Sequence, residues 1–306
     1  MVRRLAYALR LIPRRRAGVP VIVVGNLVAG GAGKTPLSMW IAVHLRAKGW
    51  SPAIVSRGYG GTAEEPREAT IASDPSEVGD EPMVLARRTG CPVWVGRDRI
   101  AVIAAMRRQH PDCNVVILDD GLQHYRLARD VEIAVVDARG FGNGFLLPAG
   151  PLREPPARLR TVDAVVAHET EKGEMEHHAR GRPVFAMAIA GEELHRATDA
   201  RDRRAASAFA GQRVHAVAGI GDPGRFFRYL EKFGVRPVPH PFPDHHPFRP
   251  EDLEFGDDAP VLMTEKDAVK CKRFAKPHHW VLPVHAAPEP AFGDWLSKEL
   301  GRRKRK

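Results

Sequence analysis

Residues 19–36, VPVIVVGNLVAGGAGKTP, limit the fold more than any other stretch, because an apolar run passes into a glycine cluster, then Lys34-Thr35, then an amphipathic segment. That order reads as strand, loop and helix. Backbone N–H groups of such a loop, with the positive end of the helix behind them, make a seat for phosphate. In the pattern G-x-x-x-x-G-K-[ST], Gly33, Lys34 and Thr35 fill the last positions, while Val28 stands where the first glycine is expected. A chance GKT in a glycine-rich turn is the bland alternative. Placement between a buried strand and a helix argues for nucleotide binding, with Gly30, Gly31, Ala32 and Gly33 wrapping the phosphates of a nucleoside triphosphate. Lys34 would reach the β and γ oxygens, and the Thr35 hydroxyl would help hold Mg2+.

From Val19 onward, β-branched runs alternate with helical stretches, as in PAIVSRGYGG, PVWVG, DRIAVIAAMRRQH, NVVILDD, EIAVVDA, DAVVAH and RPVFAMAIA. This is the rhythm of βαβ units. The expected fold is α/β, a P-loop NTPase-like, mainly parallel sheet flanked by helices, with a smaller C-terminal α/β domain. The boundaries expected are 1–200 for the core, 208–300 for the second domain after a polar stretch, and 301–306 for a basic tail. PHPFPDHHPFRP, residues 239–250, is proline-rich and reads as a loop, and APVLMTEKDAVKC as a strand and turn.

The acidic pair Asp119-Asp120 ends an apolar run, where a phosphate loop needs a carboxylate to manage Mg2+. Adjacent carboxylates repel unless a cation or donor is near; an Asx turn into Gly121 is the alternative. Asp98 precedes a helix, which by itself reads as an N-cap. Arg153 and Glu154, in a proline-bounded turn, read by themselves as a surface ion pair. Three cysteines lie far apart, and no apolar run approaches the roughly 20 residues of a membrane span. The formal charge of +10 favours acidic partners. Leu5, Leu9 and Ile12 at helical spacing, among Arg3, Arg4, Arg10 and Arg14 to Arg16, read as a basic amphipathic helix. It would lie either on an anionic membrane surface or on its own domain.

Nine ordered motifs closely resemble the tetraacyldisaccharide 4'-kinases of the lipid A pathway: VPVIVVGNLVAGGAGKTP, SRGYGG, VGDEP, VGRDR, LDDGLQH, LLPAGPLREP, GIGDPGRFF, FPDHHPF and TEKDAVKC. The valine at position 28 is similar to that family's own loop. The resemblance implies transfer of the γ-phosphate of ATP to the 4'-hydroxyl of an acylated disaccharide 1-phosphate, at the cytoplasmic face of the bacterial inner membrane. It further implies Asp98 as base in a dyad with His245, His246 being the alternative ring. Arg153 would meet the transferring phosphate, and Thr35, Asp119 and Asp120 would place Mg2+. Gln123 and His124 would line the site, and Arg57 and Tyr59 would contact the substrate's existing phosphate.

Two other patterns compete. Gly219, Gly221 and Gly224, with Asp244 beyond, form a dinucleotide fingerprint that reads better as a tight turn near the nucleotide. TEKD approaches the guanine-reading motif of GTPases, but Lys266 is one place late. A nucleotide switch and a basic nucleic-acid-binding protein are the alternative functions, the second weakened by the lack of interleaved aromatics or a recognisable module.

Overall fold

All six residues of strand β1 (Val21–Asn26) are buried, which suits a central strand covered on both faces. In the computed structural model, which describes residues 7, 9 and 11–304, β1 leads through the glycine loop into helix α1 (Lys34–Ala47). Leu37, Ile41 and Leu45 form the apolar stripe of α1 and are fully buried against the sheet. Each contributes about 1.5–3 kcal/mol by leaving water. Strands β2 (Pro52–Ser56) and β3 (Arg67–Ala69), helix α2 (Asp80–Thr89), β4 (Val93–Val95), helix α3 (Arg99–Gln109), β5 (Val115–Leu118) and β6 (Val131–Asp137) follow. Then come β7 (Ala164–His168), helix α4 (Lys172–Ala179) and β8 (Val184–Ala190).

The second half contains β9 (Glu193–Arg196), β10 (Arg203–Ala205), β11 (Arg213–Ala218), helix α5 (Pro223–Glu231) and β12 (Arg236–Pro241). It closes with β13 (Val261–Thr264), helix α6 (Glu265–Cys271), β14 (His279–Leu282), β15 (His285–Pro288) and helix α7 (Pro290–Lys304). These strands make a nine-stranded sheet ordered β15-β8-β7-β6-β1-β5-β2-β4-β3 and a six-stranded sheet ordered β10-β9-β14-β13-β11-β12. From β8 to β4 the large sheet is parallel, and β15 and β3 close its edges antiparallel. The expected α/β class is therefore observed. The chain leaves β1 toward β2 on one side and reaches β6 on the other, so the crevice beyond the C-terminal ends of β1, β5 and β6 is where ligands bind in open α/β sheets.

The linear division at 200 and 208 needs correcting at both ends. β9 and β10 already belong to the small sheet, pairing with β14 and each other. At the far end β15 returns to the large sheet, and α7 packs Phe292, Leu296 and Leu300 into its core. Burial of that i, i+4, i+8 stripe holds the chain terminus on the first lobe. The helix continues through Lys304, with Arg303 bonded to Asp163 at 3.1 Å; Arg305 and Lys306 lie outside the described residues. Two local expectations also change. Pro239 to Pro241 belong to β12, which is an edge strand where missing donors are tolerated. The turn expected within TEKDAVKC is instead helix α6, capped by the Thr264 side chain on Asp267 N.

Of the N-terminal segment, Leu9, Leu11 and Ile12 are exposed. Arg3, Arg4, Leu5 and Arg10, on which the amphipathic-helix expectation also rests, lie outside the described residues.

Candidate active site

The phosphate loop ends at Gly33, whose φ of 83° sets the left-handed turn into α1; a side chain there would be strained and would meet His168 and Met187. Lys34 is buried, with Nζ donating to the Gly30 carbonyl at 3.1 Å and lying 3.6 Å from Asp120. Asn26, the last residue of β1, donates to the same carbonyl at 3.2 Å. Arg139, beyond the end of β6, donates to the carbonyls of Ala29 at 3.2 Å and Gly31 at 3.0 Å while its Nε holds Asp137. The loop is thus pinned to the neighbouring strand by a residue that sequence reasoning did not single out.

Asp119 and Asp120 take different parts. Asp119 is buried and accepts from Thr35 Oγ1 at 3.1 Å and Ser38 Oγ at 2.7 Å. Burial first, then the nearby Glu81 charge, pushes its carboxyl up to about 7. Asp120, at φ 49°, accepts from Arg153 Nη1 at 2.9 Å. Burial opposes its charge, but Lys34 and Arg153 outweigh that and hold its carboxyl below the usual range. Gln123 bridges Asn26 O and Glu154, each at 3.0 Å, and His124 follows in the same turn with its amide on Gly121 O at 2.9 Å. Glu154 is buried against Tyr125 and Arg158, so the Arg153-Glu154 pair is not a surface ion pair.

The largest correction concerns the dyad. His245 Nδ1 donates to Asp80, 3.0 Å from Oδ1 and 3.1 Å from Oδ2. Asp98 instead accepts from the N–H groups of Ile100 and Ala101 as the N-cap of α3, and pairs with Arg126 at 2.9 Å. Slight burial raises its carboxyl, but those donors outweigh it and hold the group below its usual range, which weakens it as a base. His246 turns the other way, to Asp252 at 2.9 Å. Asp80 opens α2 within VGDEP, a motif already part of the family resemblance. What hid its role is a separation of 165 positions from His245.

Asp80 is 3% exposed and is held by groups of the second lobe. Lys270 Nζ lies 3.5 Å from Asp80 Oδ2 and 3.0 Å from Asp267 Oδ1. Lys266 reaches Glu81 at 3.3 Å, Asp244 at 2.8 Å and His245 Nε2 at 3.4 Å. Burial raises the Asp80 carboxyl, yet the His245 hydrogen bond and the charges of Lys266, His245 and Lys270 bring it below its usual range. TEKD therefore serves as a buttress rather than a base reader: Asp267 also accepts from Gly219 N at 3.0 Å. The Gly219-Gly221-Gly224 turn faces the phosphate loop, as expected. A Cβ on Gly221 would stand 3.7 Å from Gly31 N, so the two lobes meet at the nucleotide seat. On that seam Arg225 of α5 binds Glu169 at 2.8 Å and also contacts His168.

Tyr59 is 64% exposed with its ring 4.8 Å from His245, whereas Arg57 is exposed and faces the Arg99 side of the cleft, where the two cations repel. The structure thus gathers Lys34, Thr35, Asp119, Asp120, Gln123 and Arg153 at one edge and Tyr59, Asp80 and His245 across from them.

Residues 1–301 match the family model described as LpxK: Tetraacyldisaccharide-1-P 4'-kinase. Among relatives carrying the name tetraacyldisaccharide 4'-kinase, that of Aromatoleum aromaticum is 53% identical over 285 residues, covering 93% of this chain and 84% of the relative. That of Methylobacillus flagellatus is 48% identical over 305 residues, covering 98% and 88%. A crystal structure titled as the "apo" form of LpxK from Aquifex aeolicus in complex with ATP superposes with a TM-score of 0.81 at 29% identity, covering 98% of this chain and 93% of that one.

Proposed function

The chain belongs to the tetraacyldisaccharide-1-P 4'-kinase family, and from that premise we propose how its residues divide the work. It is an ATP-dependent kinase of lipid A biosynthesis, transferring the γ-phosphate of ATP to the 4'-hydroxyl of tetraacyldisaccharide 1-phosphate to give lipid IVA. Neither the nucleotide switch nor the nucleic-acid-binding protein is favoured.

Lys34 and the 30–33 backbone receive the β- and γ-phosphates. Thr35 and Asp119 offer a hydroxyl and a carboxylate 3.1 Å apart, and an oxygen pair of this kind suits Mg2+, which keeps several waters and shares phosphate oxygens. A divalent cation bound there would offset the burial and the Glu81 charge that raise the Asp119 carboxyl. These two residues would hold Mg2+, with Asp120 completing the acidic edge, and the ion would neutralise charge growing on the phosphates. Arg153, oriented by Asp120 and Gln123, presents planar donors to the transferring phosphoryl group.

The observation that carries the mechanism is the hydrogen bond that Asp80 and His245 make between the two lobes. Asp80 fixes Nδ1 as the donor, which makes Nε2 the accepting nitrogen; the sugar hydroxyl would take the place of the Lys266 ammonium, 3.4 Å from it, and give it its proton as the oxygen attacks phosphorus. Phosphoryl transfer needs little more than such placement and charge stabilisation. Asp98 belongs to helix α3 rather than to this chemistry. Tyr59 and Arg57 flank the acceptor side, the latter toward the substrate's existing phosphate. No helix among the described residues is long and apolar enough to cross a membrane. The lipid acceptor of the reaction is the ground for placing the enzyme as a peripheral protein at the cytoplasmic face of the bacterial inner membrane.

Purified protein with γ-labelled ATP, Mg2+ and detergent-dispersed tetraacyldisaccharide 1-phosphate should move label into lipid, and chelating the metal should stop it. Label that stays with ATP or appears only as free phosphate would overturn the assignment.

A further inference from the structure

The segment between β6 and Arg153 is ordered by its own hydrogen bonds. Phe145 N donates to Asn143 Oδ1 at 3.1 Å, Asn143 Nδ2 to Ala149 O at 3.0 Å, Leu147 N to Leu152 O at 2.8 Å and Gly150 N to Leu146 O at 3.1 Å. Within this frame the side chains alternate. Leu146 packs against the core under the large sheet and Leu152 is fully buried, while Phe145 is 63% exposed and Leu147 56%. A loop that fixes two large apolar groups outward is a contact surface rather than a slack connection.

A second apolar tip is tied to residues 125–128 and, through Tyr125, to Glu154. Leu9, Leu11 and Ile12 are exposed, and exposed Arg14, Arg15 and Arg16 follow them. Tyr7 stacks on Tyr125 with centroids 6.1 Å apart, and Tyr125 bonds Glu154, the neighbour of Arg153. Arg15 pairs with the chain at Arg126 and Ala128 through two backbone bonds of 2.8 Å.

We infer that the 141–150 loop is a membrane contact of this kinase, with Phe145 and Leu147 entering the boundary between headgroups and acyl chains of an anionic bilayer. This rests on the lipid-kinase reading. Two apolar side chains are too little for a stable protein interface, which buries about 800 Å2 per partner. They do suit insertion at an interface, where basic side chains of the same protein meet anionic headgroups. The net charge of +10 and the exposed run Arg14 to Arg16 supply that complement.

The loop also joins the membrane to the chemistry. Its return limb pairs with the phosphate loop, Ala29 N donating to Pro151 O at 2.9 Å and Arg153 N to Leu27 O at 2.6 Å, with Val28 bridged to Leu152. Leu147 and Arg153 can be no more than about 20 Å apart even on a fully extended chain. The transfer site therefore stands close enough to the bilayer for an acceptor to react while its acyl chains stay embedded.

Cys91, Cys113 and Cys271 are buried, so a Phe145→Cys variant takes a thiol-reactive, environment-sensitive fluorophore at that position. With substrate-free vesicles containing phosphatidylglycerol, its emission should shift to the blue, and the shift should weaken with phosphatidylcholine alone. The Phe145→Ser/Leu147→Ser variant should bind the anionic vesicles about tenfold or more weaker than wild type. Its transfer rate on acceptor in detergent micelles should stay within about threefold of wild type. No shift on substrate-free vesicles overturns the inference. A shift only when acceptor lipid is present assigns the loop to the substrate's acyl chains and overturns it too. Absence of transfer by the wild type in micelles would count against the kinase reading alone, because the fluorescence does not depend on turnover.

Discussion

Replacing Lys270 by methionine removes the cation between two buried carboxylates without changing the length of the side chain much. Its ammonium lies 3.0 Å from Asp267, 3.5 Å from Asp80 and 5.0 Å from the centre of the Phe248 ring. At an effective dielectric constant near 20, each ion pair represents roughly 5 kcal/mol of gross attraction. The variant no longer has to bury an ammonium, which offsets much of this, so a net loss of about 3 kcal/mol at pH 8 is expected. The pH dependence separates this explanation from a packing effect. In the wild type Asp80 is held below its usual range despite burial, so its contribution is present above an unfolded value of about 3.9 and lost as pH falls through the lower folded one. Without Lys270 the folded value of Asp80 moves up from its wild-type position, because burial is then opposed by His245 and Lys266 alone, so the variant loses less stability than the wild type as pH falls toward the unfolded value. The deficit should therefore be smaller at pH 4 than at pH 8. Urea unfolding followed by tryptophan fluorescence at both values measures it. A deficit below about 0.5 kcal/mol at pH 8, or one that grows on acidification, would refute the reasoning.

Asp98→Ala should cost about 1 kcal/mol in the same unfolding experiment through loss of the α3 cap, with the transfer rate within a few-fold of wild type; a loss of a hundredfold would return Asp98 to the base role. Arg139→Ala frees the Ala29 and Gly31 carbonyls, and should raise KM for ATP about tenfold with little change in kcat, as judged by initial rates. An unchanged KM would mean that the loop does not need this pin.

The phosphate loop, the acidic pair and the βα rhythm were legible because each is written within a few consecutive residues. Apolar runs such as Val115–Leu118 are short and bounded, and the pattern at 33–35 needs no distant partner. What could not be read was set by distance along the chain. Nothing local marks His285–Pro288 as the strand that returns to the large sheet; its reason is the burial of Phe292, Leu296 and Leu300 behind it. Asp98 showed a strong local signal, that of a cap, and it acts as one. Asp80 showed a weak one, because its importance comes from His245, Lys266 and Lys270 in the other lobe.

Transfer from γ-labelled ATP to detergent-dispersed acceptor by Asp80→Asn, beside wild type and with ATP affinity measured in parallel, tests the central claim most directly. Asparagine keeps the shape but no longer favours the Nδ1–H tautomer of His245, so kcat should fall about 10²- to 10⁴-fold while ATP affinity changes little. Transfer by Asp80→Asn at the wild-type rate would contradict the assignment of Asp80 and His245 as the pair that takes the hydroxyl proton.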